Sequence, residues 1–264
     1  MNINPNKPKT IKTPGSTDET SSKEITKQKL LDSYEKENSI EISNSEGFSC
    51  LNELIKSGKI SLEKVVEFNI MPGSSRNIVD QSKLVNNVIS FLSEKGKEFE
   101  KLKALRIIPQ IQGDLTIPTF EFPLEYLQIG TVEGNVIIKS QPKLTEIFID
   151  TTRHGCLTIE KQNELEKLEV SRLENKDFAI QPKLEAISII DCRPDLELQD
   201  YPSLVSINMD VLSGTLSVNE KQFNDNKLSN VNKEDRYGKI ESGVKRTFKP
   251  NGRIVIAKSQ AELA

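Results

Sequence analysis

The segment Asp150-Thr151-Thr152-Arg153-His154-Gly155-Cys156 holds the only histidine of the chain and one of its three cysteines. An imidazole beside a thiol can generate a thiolate nucleophile. Here the two residues are separated by a single glycine in a short loop, so their side chains need not face one another. A turn recurs at the same place in the neighbouring stretches, and we therefore read the segment as a structural loop, with a thiol hydrolase as the minor alternative. His154, Cys156 and Cys192 lack the paired spacing of a closed zinc set, so no metal is expected. No cofactor is expected either, since the phosphate-cradling patterns G-x-x-x-x-G-K-[ST] and G-x-G-x-x-G are both absent. Asp150, Asp191 and Asp210 follow apolar segments at comparable places. Carboxylates so repeated can share acid–base work on a glycan or form an acidic binding stripe, but acids of this kind are more often a solvated face.

These residues are carried by a repeat. PLEYLQI, PKLTEIFI, NELEKLEV, PKLEAISI and PSLVSINM, with KLKALRI before them, align on Leu102, Leu124, Leu144, Leu165, Leu184 and Leu204 at steps of 19 to 22 residues. A second apolar column is Leu105, Leu127, Ile147, Leu168, Ile187 and Ile207, and a third is Ile107, Ile129, Ile149, Val170, Ile189 and Met209. A later strand-like pair closes each unit: Leu115 with Ile117, Val136 with Ile138, Leu157 with Ile159, Phe178 with Ile180, Leu196 with Leu198, and Leu216 with Val218. Prolines precede the first element where a corner is needed. Gly113, Gly134, Gly155 and Gly214 sit at the turn before the second, where a positive φ is expected. One such unit buries too little apolar surface to fold alone, so the units must stack.

The P-x-L-x-x-I-x-I segments resemble the strand of leucine-rich repeats. The resemblance covers Leu102 to about Val218 and implies a curved solenoid whose parallel strands line a face that binds other proteins. Gln110, Val132, Thr152, Leu173, Cys192 and Leu212 stand where that family places an Asn or Cys, and only Cys192 matches. A right-handed parallel β-helix, the scaffold of some polysaccharide lyases and hydrolases, is the alternative.

The fold class is thus a mostly β repeat solenoid with a small helical cap. Residues 1–45 read as a disordered tail and possible secretion signal, 46–101 as the helical cap, and 102–219 as the six-repeat solenoid. Residues 220–243 read as a polar linker or irregular cap, and 244–264 as a C-terminal hairpin cap, from the Pro-Asn-Gly at 250–252 between two alternating runs. In the cap, Phe48, Leu51 and Leu54 lie on one helix face, Leu62, Val65 and Val66 on a second, and Leu84, Val88, Leu92, Phe99 and Leu102 on a third, with Gly96 ending or bending the last helix.

Net charge is −3 and the pI is near 5.6, which argues against a protein that coats nucleic acid. Neither a membrane-length apolar run nor the pattern of a secretory signal peptide is present, so a soluble protein is expected. The disordered tail, helical cap and short repeats together are similar in layout to leucine-rich-repeat effectors of Gram-negative pathogens. That resemblance implies export by a signal-peptide-independent route and a host protein as partner; a non-secreted cytoplasmic scaffold and a β-helix carbohydrate-active enzyme are the alternatives. The face expected to meet a partner comprises Arg106, Tyr126, Phe148, Asp150, Glu169, Arg172, Asp191 and Asp210. A weaker membrane-surface contact would involve Lys245, Arg246, Lys249 and Arg253.

Overall fold

The computed structural model describes residues 17–73, 77–198, 200–219, 246–248 and 253–257. The expected tail is helical from Thr17 onward. Helix α1 (Thr17–Glu37) leads into a strand, Ser39–Ile42. Leu30 and Tyr34 are buried, and the Tyr34 hydroxyl accepts from the Ser61 amide at 3.1 Å. The apolar stripe of this helix is too thin to be read from the sequence, and Ile25 points outward, 54% exposed. Residues 1–16 of the expected tail lie outside the described residues.

Helix α2 (Ser45–Lys56) starts where Asn44 accepts a hydrogen bond from the Gly47 amide at 2.7 Å, which satisfies one of the free amides of the first turn. It buries Leu51 and Leu54, as its spacing predicts. The second expected helix is instead a single tight turn, Leu62–Lys64, followed by the strand Glu67–Ile70. The β-branched pair Val65-Val66 favours extended backbone there. Helix α3 (Ile78–Glu94) buries Leu84, Val88 and Leu92 and stops just before Gly96. Phe99 and Leu102 lie beyond the helix, yet both are fully buried. Edge-to-face rings (Phe48–Phe91 at 5.6 Å, Phe91–Phe99 at 6.1 Å) and the tilted pair Phe99–Phe122 at 5.8 Å join the cap to the first repeats.

The repeats form a parallel β-solenoid of about five turns. One long sheet runs through Ser39–Ile42, Glu67–Ile70, Ala104–Ile107, Tyr126–Glu133, Glu146–Arg153, Lys167–Leu173, Ala186–Cys192, Ser206–Leu212 and Arg246–Phe248, with Ile111–Gln112 alongside. One strand of the expected tail and one of the expected cap therefore belong to the same ladder as the repeats. The second and third apolar columns pair rung to rung, as in Leu127↔Ile147↔Leu168↔Ile187 and Ile129↔Ile149↔Val170↔Ile189. All of these residues are buried.

Each long strand then turns a two-residue corner and continues inward at Val132, Thr152, Leu173 and Cys192, all with no exposed surface. Ile111 rather than Gln110 stands opposite Val132. This inward row thus forms a further core column, in which Cys192 alone also bonds the loop backbone, its thiol donating to the Pro194 carbonyl at 3.7 Å.

The second elements build two smaller parallel sheets. Leu115–Ile117, Val136–Ile138, Leu157–Ile159 and Lys176–Phe178 form one; Leu196–Glu197, Thr215–Asn219 and Arg253–Ala257 form the other. In the fourth repeat the register is two residues from the expected one. Lys176 stands opposite Leu157 and Phe178 opposite Ile159, while Ile180 is 49% exposed. The expected hairpin does not form either: Arg246–Phe248 adds in parallel to Ser206–Leu212, and Arg253–Ala257 adds in parallel to Thr215–Asn219. The exposed edges of the last repeat supply ready-made partners, and pairing with them replaces pairing within the segment. Residues 220–243 lie outside the described residues.

Candidate functional site

The outward side of the long sheet is the candidate site. Strand alternation turns every second side chain away from the core, and the register sets these side chains in rows. One row reads Asn69↔Arg106↔Gln128↔Phe148↔Glu169↔Ser188↔Asn208. The row beside it reads Glu67↔Ala104↔Tyr126↔Glu146↔Lys167↔Ala186↔Ser206. Arg106, Phe148, Glu169 and Tyr126 thus share one face, as their spacing predicts. Glu146 joins them, a residue that the sequence reading missed although it lies two positions before Phe148.

At the corner the acids separate. Arg172 stands opposite Thr151 on one side and Asp191 on the other, with Val211 beyond. Asp150 precedes Thr151 and Asp210 precedes Val211, so both belong to the adjacent row, with Ser171 and the 51%-exposed Ile190. The three aspartates therefore do not form one stripe, because the third apolar column was counted without the corner that follows it. The Asp210 side chain lies outside the described residues.

Most charges on this face are already engaged. The Arg106 guanidinium ion-pairs with Glu67, donates to Asn69 Oδ1 at 3.4 Å and lies over the Tyr126 ring at 5.1 Å. Lys167 binds Glu169 at 2.8 Å and Lys103 binds Glu125 at 2.9 Å. Asp191 Oδ2 takes Arg172 Nε at 3.2 Å and Arg193 Nε at 3.6 Å, while its Oδ1 is buried with no hydrogen-bond partner. Asp150 is exposed and accepts from Thr131 Oγ1 at 3.0 Å.

A buried glutamine ladder and an exposed corner ladder hold this face in place. Gln141, Gln162 and Gln181 stand just ahead of the first apolar column in successive repeats and are almost wholly buried. Gln162 Oε1 accepts from the Gln141 amide at 2.6 Å, and Gln181 Oε1 accepts from the Gln162 amide at 2.7 Å. Their side-chain amides donate to the carbonyls of Lys139, Glu160 and Ala179. Tyr201 takes the next place, its hydroxyl donating to Ala179 O at 3.3 Å.

A second ladder lies at the opposite corner. Asp114 accepts from the Asn135 amide at 2.8 Å, and Asn135 accepts from the Cys156 amide at 2.9 Å. Hydrogen bonding from Asn135 holds the Asp114 carboxyl below its usual range. Of the four corner glycines, Gly113 alone has a positive φ, at +92°. At Gly155 the requirement is space, because an added Cβ would lie 2.0 Å from the Gly134 carbonyl oxygen.

The His154–Cys156 loop belongs to this corner. His154 has φ +59°, is exposed, and gives its amide to Glu174 Oε2 at 3.0 Å. That bond holds the Glu174 carboxyl low. Among the described residues no hydrogen bond joins the imidazole to the Cys156 thiol, and no group of three or more His, Cys, Asp or Glu converges as a metal site. Burial pushes the Cys192 thiol up to about 12, the opposite of an activated nucleophile. Lys245 and Lys249 lie outside the described residues, as do the side chains of Arg246 and Arg253. No helix among the described residues is long and apolar enough to cross a membrane.

No protein family model, curated protein or solved structure matches the chain.

Proposed function

We propose that the chain is a protein-binding solenoid and that the outward face of its long sheet is the binding surface, centred on Phe148. The observation that supports this reading is the register that aligns Arg106, Gln128, Phe148, Glu169, Ser188 and Asn208 in one row over six adjacent parallel strands. An aromatic side chain set among polar and charged neighbours on a rigid surface is the composition of an interface centre and its rim. Continuous backbone ladders and the buried glutamines fix that surface before any partner arrives, so association would forfeit little conformational entropy. The likeness of the helical cap and short repeats to the layout of leucine-rich-repeat effectors extends the proposal to export by a signal-peptide-independent route and action on a host protein. A translocation assay with residues 1–45 fused to a reporter enzyme tests that extension.

The face itself is tested by photo-crosslinking. Benzoylphenylalanine is placed singly at positions 128, 148 and 169, and as a control at 116 and 158 on the outer side of the second sheet. Each protein is then irradiated in eukaryotic cell extract. A discrete crosslinked protein from the long-sheet positions alone is the expected result. Equal labelling from both sheets, or none from either, would remove the support for this reading.

A further inference from the structure

The long sheet already shows how an arginine is held on this face. Arg106 lies over the Tyr126 ring, 5.1 Å from its centroid, with the Glu67 carboxylate paired to its guanidinium. Two strands further along the same row is Phe148, a half-buried ring on the strand Glu146–Arg153. Glu146 and Asp150 flank it two residues away on either side, both exposed. Alternation puts Glu146 and Phe148 on the outward face, about 7 Å apart along the strand, and the exposed Asp150 opens the corner that follows Ile149.

The same chemical set, an aromatic ring with carboxylates beside it, therefore recurs here. A paired cation does not. Among the described residues neither Glu146 nor Asp150 makes an ion pair: Lys167, which stands opposite Glu146 and is attracted by it, is bonded to Glu169, Arg172 to Asp191, and Arg106 to Glu67. Asp150 accepts one hydrogen bond, from Thr131 at 3.0 Å.

We propose that Phe148, Glu146 and Asp150 receive an arginine side chain from the protein that docks on this face. A planar, weakly hydrated guanidinium can lie on the ring while its N–H groups reach a carboxylate, a combination that a lysine ammonium matches less well. The inference rests on the proposed binding face and adds the chemistry of the partner: a segment that carries at least one exposed arginine and an excess of positive charge.

The probe is a fluorescein-labelled peptide alternating arginine and serine, and its counterpart has neutral citrulline in place of arginine. Binding to the full chain is followed by fluorescence anisotropy. The arginine peptide is expected to bind and the citrulline peptide not. Glu146→Gln with Asp150→Asn should weaken binding about three- to tenfold, and Phe148→Leu about two- to fivefold. All three substitutions lie on the solvent side of the sheet, and circular dichroism checks that each variant is folded. Asp177→Asn with Glu197→Gln removes the same charge from exposed positions of the second sheets and should change affinity by less than about twofold. Equal binding of the two peptides, or variants that bind like the wild type, would overturn the arginine site. If crosslinking from position 148 still captures a protein in that event, the docking face stands and only the arginine inference falls.

Discussion

Gln162 carries the main lesson at the scale of residues. One side chain accepts from the Gln141 amide at 2.6 Å and donates to the carbonyls of Lys139 and Glu160 at 3.1 and 3.0 Å, all away from water. Its removal strands several buried polar groups at once. Gln162→Ala should therefore lower unfolding stability by about 3 kcal/mol or more, a shift that urea denaturation would read directly. The glutamine repeats in the sequence ahead of Leu144, Leu165 and Leu184, so it was visible. Apolar columns do not reveal its role, because a polar residue signals burial only when its partners are known. Cys192 and Tyr201 supply a pH dependence. Burial raises both groups to about 12, from ordinary values of 9.0 and 10.0. Above about pH 9 the unfolded chain loses protons that the folded chain keeps, so stability should fall as pH rises from 9 toward 12 and be insensitive to these two groups below 9. Denaturation midpoints compared at mildly and strongly alkaline pH would show the decline; a flat profile would mean that both groups ionise as freely in the folded chain.

Among the elements, the long strands were the most legible. Three apolar columns at constant spacing located them, and period-two alternation assigned Arg106, Gln128, Phe148 and Glu169 to the outer side. The corner after the third column was not legible, because a two-residue bend leaves no apolar mark, and for that reason the aspartates looked like one stripe. Helix α1 was hidden by its polar composition, and the C-terminal strands were assigned to each other because Pro-Asn-Gly favours a tight turn while saying nothing of the open ladder nearby. The second sheets show a different kind of deviation. Lys176 occupies the inward place held by Leu115, Val136 and Leu157 in earlier repeats, and the sheet is interrupted immediately after its strand. Lys176→Leu should return an aliphatic side chain to that column and raise stability by about 1 kcal/mol. An unchanged or lowered denaturation midpoint would show that the lysine stem already fills the space.

On the scale of the whole molecule, the solenoid converts a repeated sequence into an array of aligned rows. Neighbouring strands about 4.8 Å apart place equivalent residues in rows, so the chemistry of the proposed binding face changes one repeat at a time: Arg106 over Tyr126, then Phe148 beside the exposed carboxylates of Glu146 and Asp150, then the ion pairs of Lys167 and Arg172. The helical cap closes one end, with α1 packed on the first strand through Leu30 and the Ser33–Ser39 hydroxyl contact at 2.8 Å. Covering that edge shields the backbone of the first strand from pairing with other chains; the outward side chains are the proposed surface of recognition. The most direct test of this account is quantitative affinity enrichment from eukaryotic cell extract, comparing the wild-type protein with a Tyr126→Ala, Phe148→Ala double variant shown by circular dichroism to be folded. The account expects a protein that is enriched by the wild type and lost with the double variant. Recovery of the same proteins by both, or of none by the wild type, would contradict it.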